Sequence, residues 1–142
     1  MEHQTQLFAV SVKAVVLRQG RVVLLHNDRD EWELPGGQLE LGEQPADCVV
    51  REVAEEVGWA VTVGPLLDVW PYHPGPGEDV LIVTFGCHTD AGTEPVLSDE
   101  HDQVGLFTEA EVAALRMPAG YRRSIATWYA AQGTVPPTGS SR

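Results

Sequence analysis

Residues 45–58 constrain this chain more than any other stretch. Pro45 suits the first position of a helix and Gly58 the residue just past its end. Between them Ala46, Val49, Val50, Val53 and Val57 recur at helical spacing on one face. The same helix carries Glu52, Glu55 and Glu56. At about 100° per residue these three fall within an arc of roughly 100°, and the apolar face is centred roughly 120° away. They are not expected to be core residues. Like charges at this spacing repel, and the C-terminal half of a helix disfavours anions. Nothing in helix stability calls for such a cluster. A divalent cation reverses the penalty, with Glu52 and Glu56 one turn apart as natural co-ligands. Hard carboxylate oxygens select Mg²⁺ or Mn²⁺ over softer metals.

The residues just before the helix extend this reading. Arg51 lies one turn before Glu55 and within reach of the preceding loop, where Glu43 is its expected partner. That pair reads as a clamp holding loop to helix. Gly36 and Gly37, in Leu34-Pro35-Gly36-Gly37, are expected to form a tight bend that presents backbone groups to the site, and the bend's carbonyl can add a metal ligand.

Around this core, strands are expected at 8–17, 22–26, 61–72, 80–88 and 104–107, with a short extended piece at 32–34. Gln19-Gly20 turns the first strand into the second. A capping-box pattern, Thr108-Glu109-Ala110-Glu111, is expected to start a helix that runs to about Met117, and Ala119–Gln132 reads as the last helix. The alternation implies an α/β or α+β class with a mixed sheet. One domain over 1–133 is expected, followed by a disordered Pro/Ser/Gly-rich tail at 134–142.

Composition narrows the partners. The formal net charge of -12 over 142 residues argues against nucleic acid and anionic membranes. Apolar runs such as Val22–Leu25 are far too short for a membrane span, and no signal peptide is read, so a cytoplasmic location is expected. Cys48 and Cys87 are isolated and read as small apolar residues. A homodimer paired through Leu7–Val16 and a monomer are equally consistent with the sequence.

The segment Gly37–Trp59 resembles the Nudix box, G-x5-E-x7-R-E-U-x-E-E-x-G-U, where U is bulky and apolar. Gly37, Glu43, Arg51, Glu52, Val53, Glu55, Glu56, Gly58 and Trp59 fill its fixed positions. The resemblance implies an α/β/α sandwich with a mixed central sheet and a catalytic loop-helix-loop. It also implies hydrolysis of a nucleoside diphosphate linked to another group, by in-line water attack supported by Mg²⁺ or Mn²⁺. By the same resemblance Glu52, Glu55 and Glu56 are metal ligands, with the Gly36 carbonyl as an addition. The water-activating base falls either on the box helix, at Glu55 or Glu52, or on a later loop, at Glu100; His101 is a further candidate.

Substrate contacts are marked more weakly. Arg29 is a candidate for phosphate, and Trp70 and Tyr72 for base stacking. Trp32, Phe85, Arg18 and Arg21 are further candidates, with core packing or solvated surface as their default. The substrates implied are a nucleotide sugar such as ADP-ribose or a (d)NTP such as an oxidised nucleotide. The alternative is a nucleotide- or ADP-ribose-binding module without turnover. An RNA-end pyrophosphohydrolase is disfavoured by the single lysine, Lys13.

Overall fold

The computed structural model describes residues 3–133. In chain order the elements are β1 (Ala9–Arg18), β2 (Arg21–His26), β3 (Trp32–Glu33), β4 (Gly36–Gln38), α1 (Pro45–Val57), β5 (Thr62–Tyr72), β6 (Val80–His88), β7 (Gln103–Phe107), α2 (Glu109–Val112) and α3 (Ala119–Gly133). The expectation for 134–142 lies outside the described residues. Among those residues no helix is long and apolar enough to cross a membrane.

β1 organises the sheet. Its β-branched run favours extended backbone, and it pairs in parallel with β6 from Ala9↔Val80 to Leu17↔His88. Gln19 and Gly20, at φ 54° and 80°, return the chain into β2. β1 and β2 then separate, so that β7 pairs along β2 and β4 pairs with the start of β1. β5 closes the far side against β6, with irregular register near Leu66. The described residues thus form a seven-stranded mixed sheet.

Side-chain alternation along β1 divides the core in two. Val12, Ala14 and Val16 face α1 and meet Val49, Val53 and Val57. Val15 faces the other way and packs with Ile82, Tyr121, Ile125 and Trp128 under α3. The mixed sheet between helices agrees with the expected fold class. α1 also ends as expected: Gly58 is left-handed at φ 76°, and its N–H donates to the Ala54 carbonyl.

Two local expectations are corrected. Gly36-Gly37 do not form a simple bend; they enter β4, paired Lys13↔Gly36 and Val12↔Gly37 with β1. Glycines carry little strand preference, and this pairing comes from a partner more than twenty residues away in sequence. The helix at Thr108 has its capping box but ends at Val112. The Arg122 guanidinium donates to the carbonyls of Val112 and Leu115, at 3.0 and 2.7 Å, and the Arg116 carbonyl accepts from the Trp32 N–H. Tertiary donors replace continuation of the helix.

Close packing under α3 makes Gly120 restrictive. A Cβ there would enter the Trp70 indole. Gly120→Ala is expected to lower stability by about 1–3 kcal/mol through overpacking. This outweighs the gain of about 1 kcal/mol in helix propensity. Urea denaturation checks the sign, since a surface helix would give the opposite one.

His26, at the end of β2, sits between two carboxylates: Nδ1 is 2.8 Å from Asp102 and Nε2 is 3.0 Å from Asp30. The Asp102 hydrogen bond raises its pKa above the ordinary histidine value, burial opposes this, and Asp30 adds to the rise. The folded state therefore binds the proton more tightly than the unfolded chain. The stabilisation is complete below about pH 6.5, the ordinary histidine value, and is lost as pH rises through the higher folded value. Melting scans from pH 5.5 to 8.5 are expected to show this loss in the wild type relative to His26→Gln. Parallel profiles would refute it.

Candidate active site

The site is assembled by a strand edge, a helix and a loop. α1 presents Glu52, Glu55 and Glu56 toward the segment that joins β6 to β7. The three carboxylates line a cavity of about 220 Å³ together with Ser98, Asp99 and Glu100. Glu100 is thus brought to the same opening as the box glutamates from more than forty residues away.

Burial differs sharply among these acids. The side chains of Glu56 and Glu52 are 6% and 15% exposed, and that of Glu55 is 58% exposed. Burial pushes the Glu56 carboxyl up to about 7, against the Gly36 N–H, Lys13 and His101, which favour its ionised form. Glu52 is also raised, chiefly by burial, with Arg51 opposing and Glu55 adding to the rise. The three carboxylates carry hard oxygen donors of the kind a divalent cation favours, but among the described residues no three His, Cys, Asp or Glu side chains stand together as a formed metal-binding group.

Backbone proximity explains the glycines. The Gly36 N–H donates to Glu56 Oε1 at 2.7 Å, tying the carboxylate to β4. A Cβ on Gly37 would collide with the Glu52 carboxylate. For Gly36 the described contact is through its N–H; its carbonyl enters no contact described in the cavity.

Arg51 and Glu43 meet as a bidentate pair, Nε to Oε2 at 2.8 Å and Nη2 to Oε1 at 3.1 Å. Hydrogen bonding from Arg51, then from the Glu40 backbone, holds Glu43 down at about 2. Arg51 Nη1 also donates to Glu52 and Glu55, each at 3.1 Å. The arginine therefore both closes the loop and orients two of the cavity's carboxylates.

The loop bearing Glu100 is strapped at several points. Trp59 is buried and its indole N–H donates to the Thr93 carbonyl at 3.1 Å. The Arg18 guanidinium lies 5.1 Å from that ring, donates to Thr93 and pairs with Glu94 at 3.0 Å. The Val96 N–H donates to the Val57 carbonyl. His101, with a side chain only 5% exposed, places Nε2 2.7 Å from Glu33 Oε2 and Nδ1 3.7 Å from Glu56 Oε2.

Arg29 and Tyr72 line a second cavity, on the α3 face of the sheet, together with Lys13, Glu33 and Tyr121. Trp70 is buried in the adjoining core, its ring 5.3 Å from those of Tyr72 and Tyr121. Trp32 packs against His26 and Phe107, and Phe85 against the α1 core. Sequence reasoning did not single out Glu33, Ser98, Asp99 or Tyr121, nor Lys13 as a site residue. One signal was available for Lys13: a cation in the middle of a strand, between the apolar residues Val12 and Ala14–Leu17.

These features define a loop-helix-loop carboxylate centre on an α/β/α sandwich, and comparison with known proteins agrees. The family described as "NUDIX domain" matches residues 7–128. A MutT-like protein of Streptomyces ambofaciens is 38% identical over 109 residues, 75% of this chain and 68% of that protein. A putative ADP-ribose pyrophosphatase of Bacillus subtilis is 40% identical over 96 residues, 63% of this chain and 46% of that protein. The crystal structure of a MutT Nudix hydrolase from Burkholderia pseudomallei superposes with a TM-score of 0.74 at 26% identity, covering 86% of this chain and 98% of that one. The chain belongs to the Nudix (MutT-like) hydrolase family.

Proposed function

We propose that the protein is a Mg²⁺- or Mn²⁺-dependent pyrophosphohydrolase. Its substrate is a small nucleotide: a nucleoside diphosphate linked to a sugar, as in ADP-ribose, or a (d)NTP such as an oxidised nucleotide. The observation that carries this reading is the convergence of Glu52, Glu55, Glu56 and Glu100 on one cavity. With Asp99, five acids line that opening, and carboxylates so placed repel each other unless cations offset them.

Each residue has a distinct part. Glu56 and Glu52, the desolvated pair, hold the ions, with Glu55 completing the set. When bound there, divalent ions would supply positive charge to offset that of the diphosphate oxygens and so favour in-line attack by water. Glu100 and Glu55, the more exposed acids, are the groups placed to take the proton of that water, with Glu52 as the remaining candidate. Arg51, held by Glu43, fixes the orientation of Glu52 and Glu55.

The similarity to a putative ADP-ribose pyrophosphatase supports the nucleotide-sugar arm. A phosphate-release screen with Mg²⁺ and Mn²⁺ tests the reading against (d)NTPs, 8-oxo-dGTP, ADP-ribose, other nucleotide sugars and dinucleoside polyphosphates. Metal-dependent turnover of one class is the expected result. Binding of these nucleotides without cleavage would overturn catalysis in favour of a binding module.

A further inference from the structure

With no metal-binding group already formed among the described residues, ion binding at α1 depends on what fixes each carboxylate. Glu56 is held at both oxygens. The Gly36 N–H donates to Oε1 at 2.7 Å, and the His101 imidazole stands against Oε2, with Nδ1 3.7 Å away. His101 is not itself a wall of the carboxylate cavity, which is lined from this loop by Ser98, Asp99 and Glu100. Its side chain is only 5% exposed and is joined to Glu33 instead.

Glu33 is a fixed anchor. It stands on β3, paired with Leu25 of β2. Its Oε1 accepts from Asn27 Nδ2 at 3.1 Å, and its Oε2 lies 2.7 Å from His101 Nε2. Burial opposes its ionisation, but the His101 hydrogen bond, Lys13 and Asn27 hold the carboxyl down at about 2. An ionised carboxylate only accepts, so Nε2 carries the hydrogen and donates. That bond sets the ring's orientation and turns Nδ1 toward the site, 3.3 Å from the Ser98 hydroxyl and 3.7 Å from Glu56. The backbone here is pinned as well: the His101 N–H donates to the Ser98 carbonyl and the Asp102 N–H to the His26 carbonyl, each at 3.3 Å. The ring therefore supports two groups that line the cavity, Ser98 and Glu56, without lining it.

A general base must reach the water it deprotonates. His101, a candidate base in the sequence, is buried behind the groups it touches, and its Nε2 is already committed to Glu33. We propose that His101, anchored by Glu33, is a positioning residue: it holds Glu56 and the loop bearing Glu100 in the mutual geometry that binds a divalent ion. Outer partners of this kind typically change metal affinity or activity by about 10–100-fold when removed. This rests on the reading of the box carboxylates as metal ligands.

The test is titration of Mn²⁺ alone, without nucleotide, into the wild type, His101→Ala, His101→Asn, His101→Gln and Glu33→Ala, followed by the paramagnetic resonance of free Mn²⁺. His101→Ala should weaken binding about 10-fold or more. Glutamine carries its amide nitrogen near the place of Nε2 and can still donate to Glu33, whereas asparagine places its amide near Nδ1 and falls short. His101→Gln should therefore retain most of the affinity, and His101→Asn should lose it. Glu33→Ala should weaken Mn²⁺ binding as His101→Ala does, and the double variant no further, since the two act through one path. A merely structural role would lower the metal-free melting temperature and leave Mn²⁺ affinity and kcat of the folded protein unchanged, a result that overturns the proposal. So does a fall in kcat with unchanged Mn²⁺ affinity, which would make His101 the base. Should His101→Ala not fold, the comparison of His101→Asn with His101→Gln decides alone. Wild type that binds no Mn²⁺ fails the metal reading and this one together; equal Mn²⁺ binding by wild type, His101→Ala and His101→Asn fails this one only.

Discussion

Glu56→Gln is expected to reduce metal-dependent phosphate release by at least about 10²–10³-fold, the scale on which a single charge-stabilising group contributes in an active site. The fold should survive. Glutamine keeps an oxygen to accept the Gly36 N–H and removes a carboxyl that burial pushes up to about 7. Glu56→Gln should therefore melt no lower than wild type without metal. Added Mg²⁺ should raise the wild-type melting temperature and leave the variant nearly unchanged, because a ligand stabilises in proportion to RT ln(1 + [L]/Kd). Glu100→Gln should lower kcat while retaining most of that Mg²⁺-induced shift if Glu100 is the base, whereas Glu55→Gln, which also removes a metal ligand, should lower both. A variant that loses activity by unfolding would show a collapsed melting temperature, so the two readouts together isolate the chemistry.

Gly36→Ala is expected to cost roughly 2–6 kcal/mol, combining backbone strain of about 1–3 with overpacking of about 1–3 kcal/mol. Gly36 has φ 150°, and a Cβ there would strike the Val12 carbonyl oxygen and lie 2.8 Å from Lys13 Cα. Both obstacles are backbone or near-backbone atoms of the central strand, which cannot swing aside. A loss of this size is a large part of the about 5–15 kcal/mol that typically holds a domain together. Gly42→Ala is the internal comparison: its φ is 80°, but no atom lies within 4 Å of the added methyl. It should cost only the strain, about 1–2 kcal/mol per left-handed residue. Urea denaturation of both variants gives the comparison, and similar losses would show that sterics at Gly36 contribute nothing.

Much of the carboxylate centre was legible in the chain because a helix converts sequence spacing into a face without outside help. Glu52, Glu55 and Glu56 share that face, and Arg51 with Glu43 lies within one loop of it, so local geometry was enough to place them together. The hairpin at Gln19-Gly20 and the cap at Gly58 were readable for the same reason: each depends on backbone preferences of the residue itself. What required the tertiary structure was every partnership across long sequence separation. β4 exists because β1 offers an edge where it parts from β2, and nothing in Gly36–Gln38 favours a strand. The Thr108 helix stops early because Arg122 takes its carbonyls. Glu100 reaches the box only because Trp59, Arg18 and Val57 strap its loop. The sequence by itself determined the helix, its caps and the ligand-rich face, since those follow from one residue's relation to its near neighbours. Only the tertiary structure decided which distant strand, loop acid and buried lysine complete the two cavities, because those pairings are set by packing against surfaces the local chain does not contain.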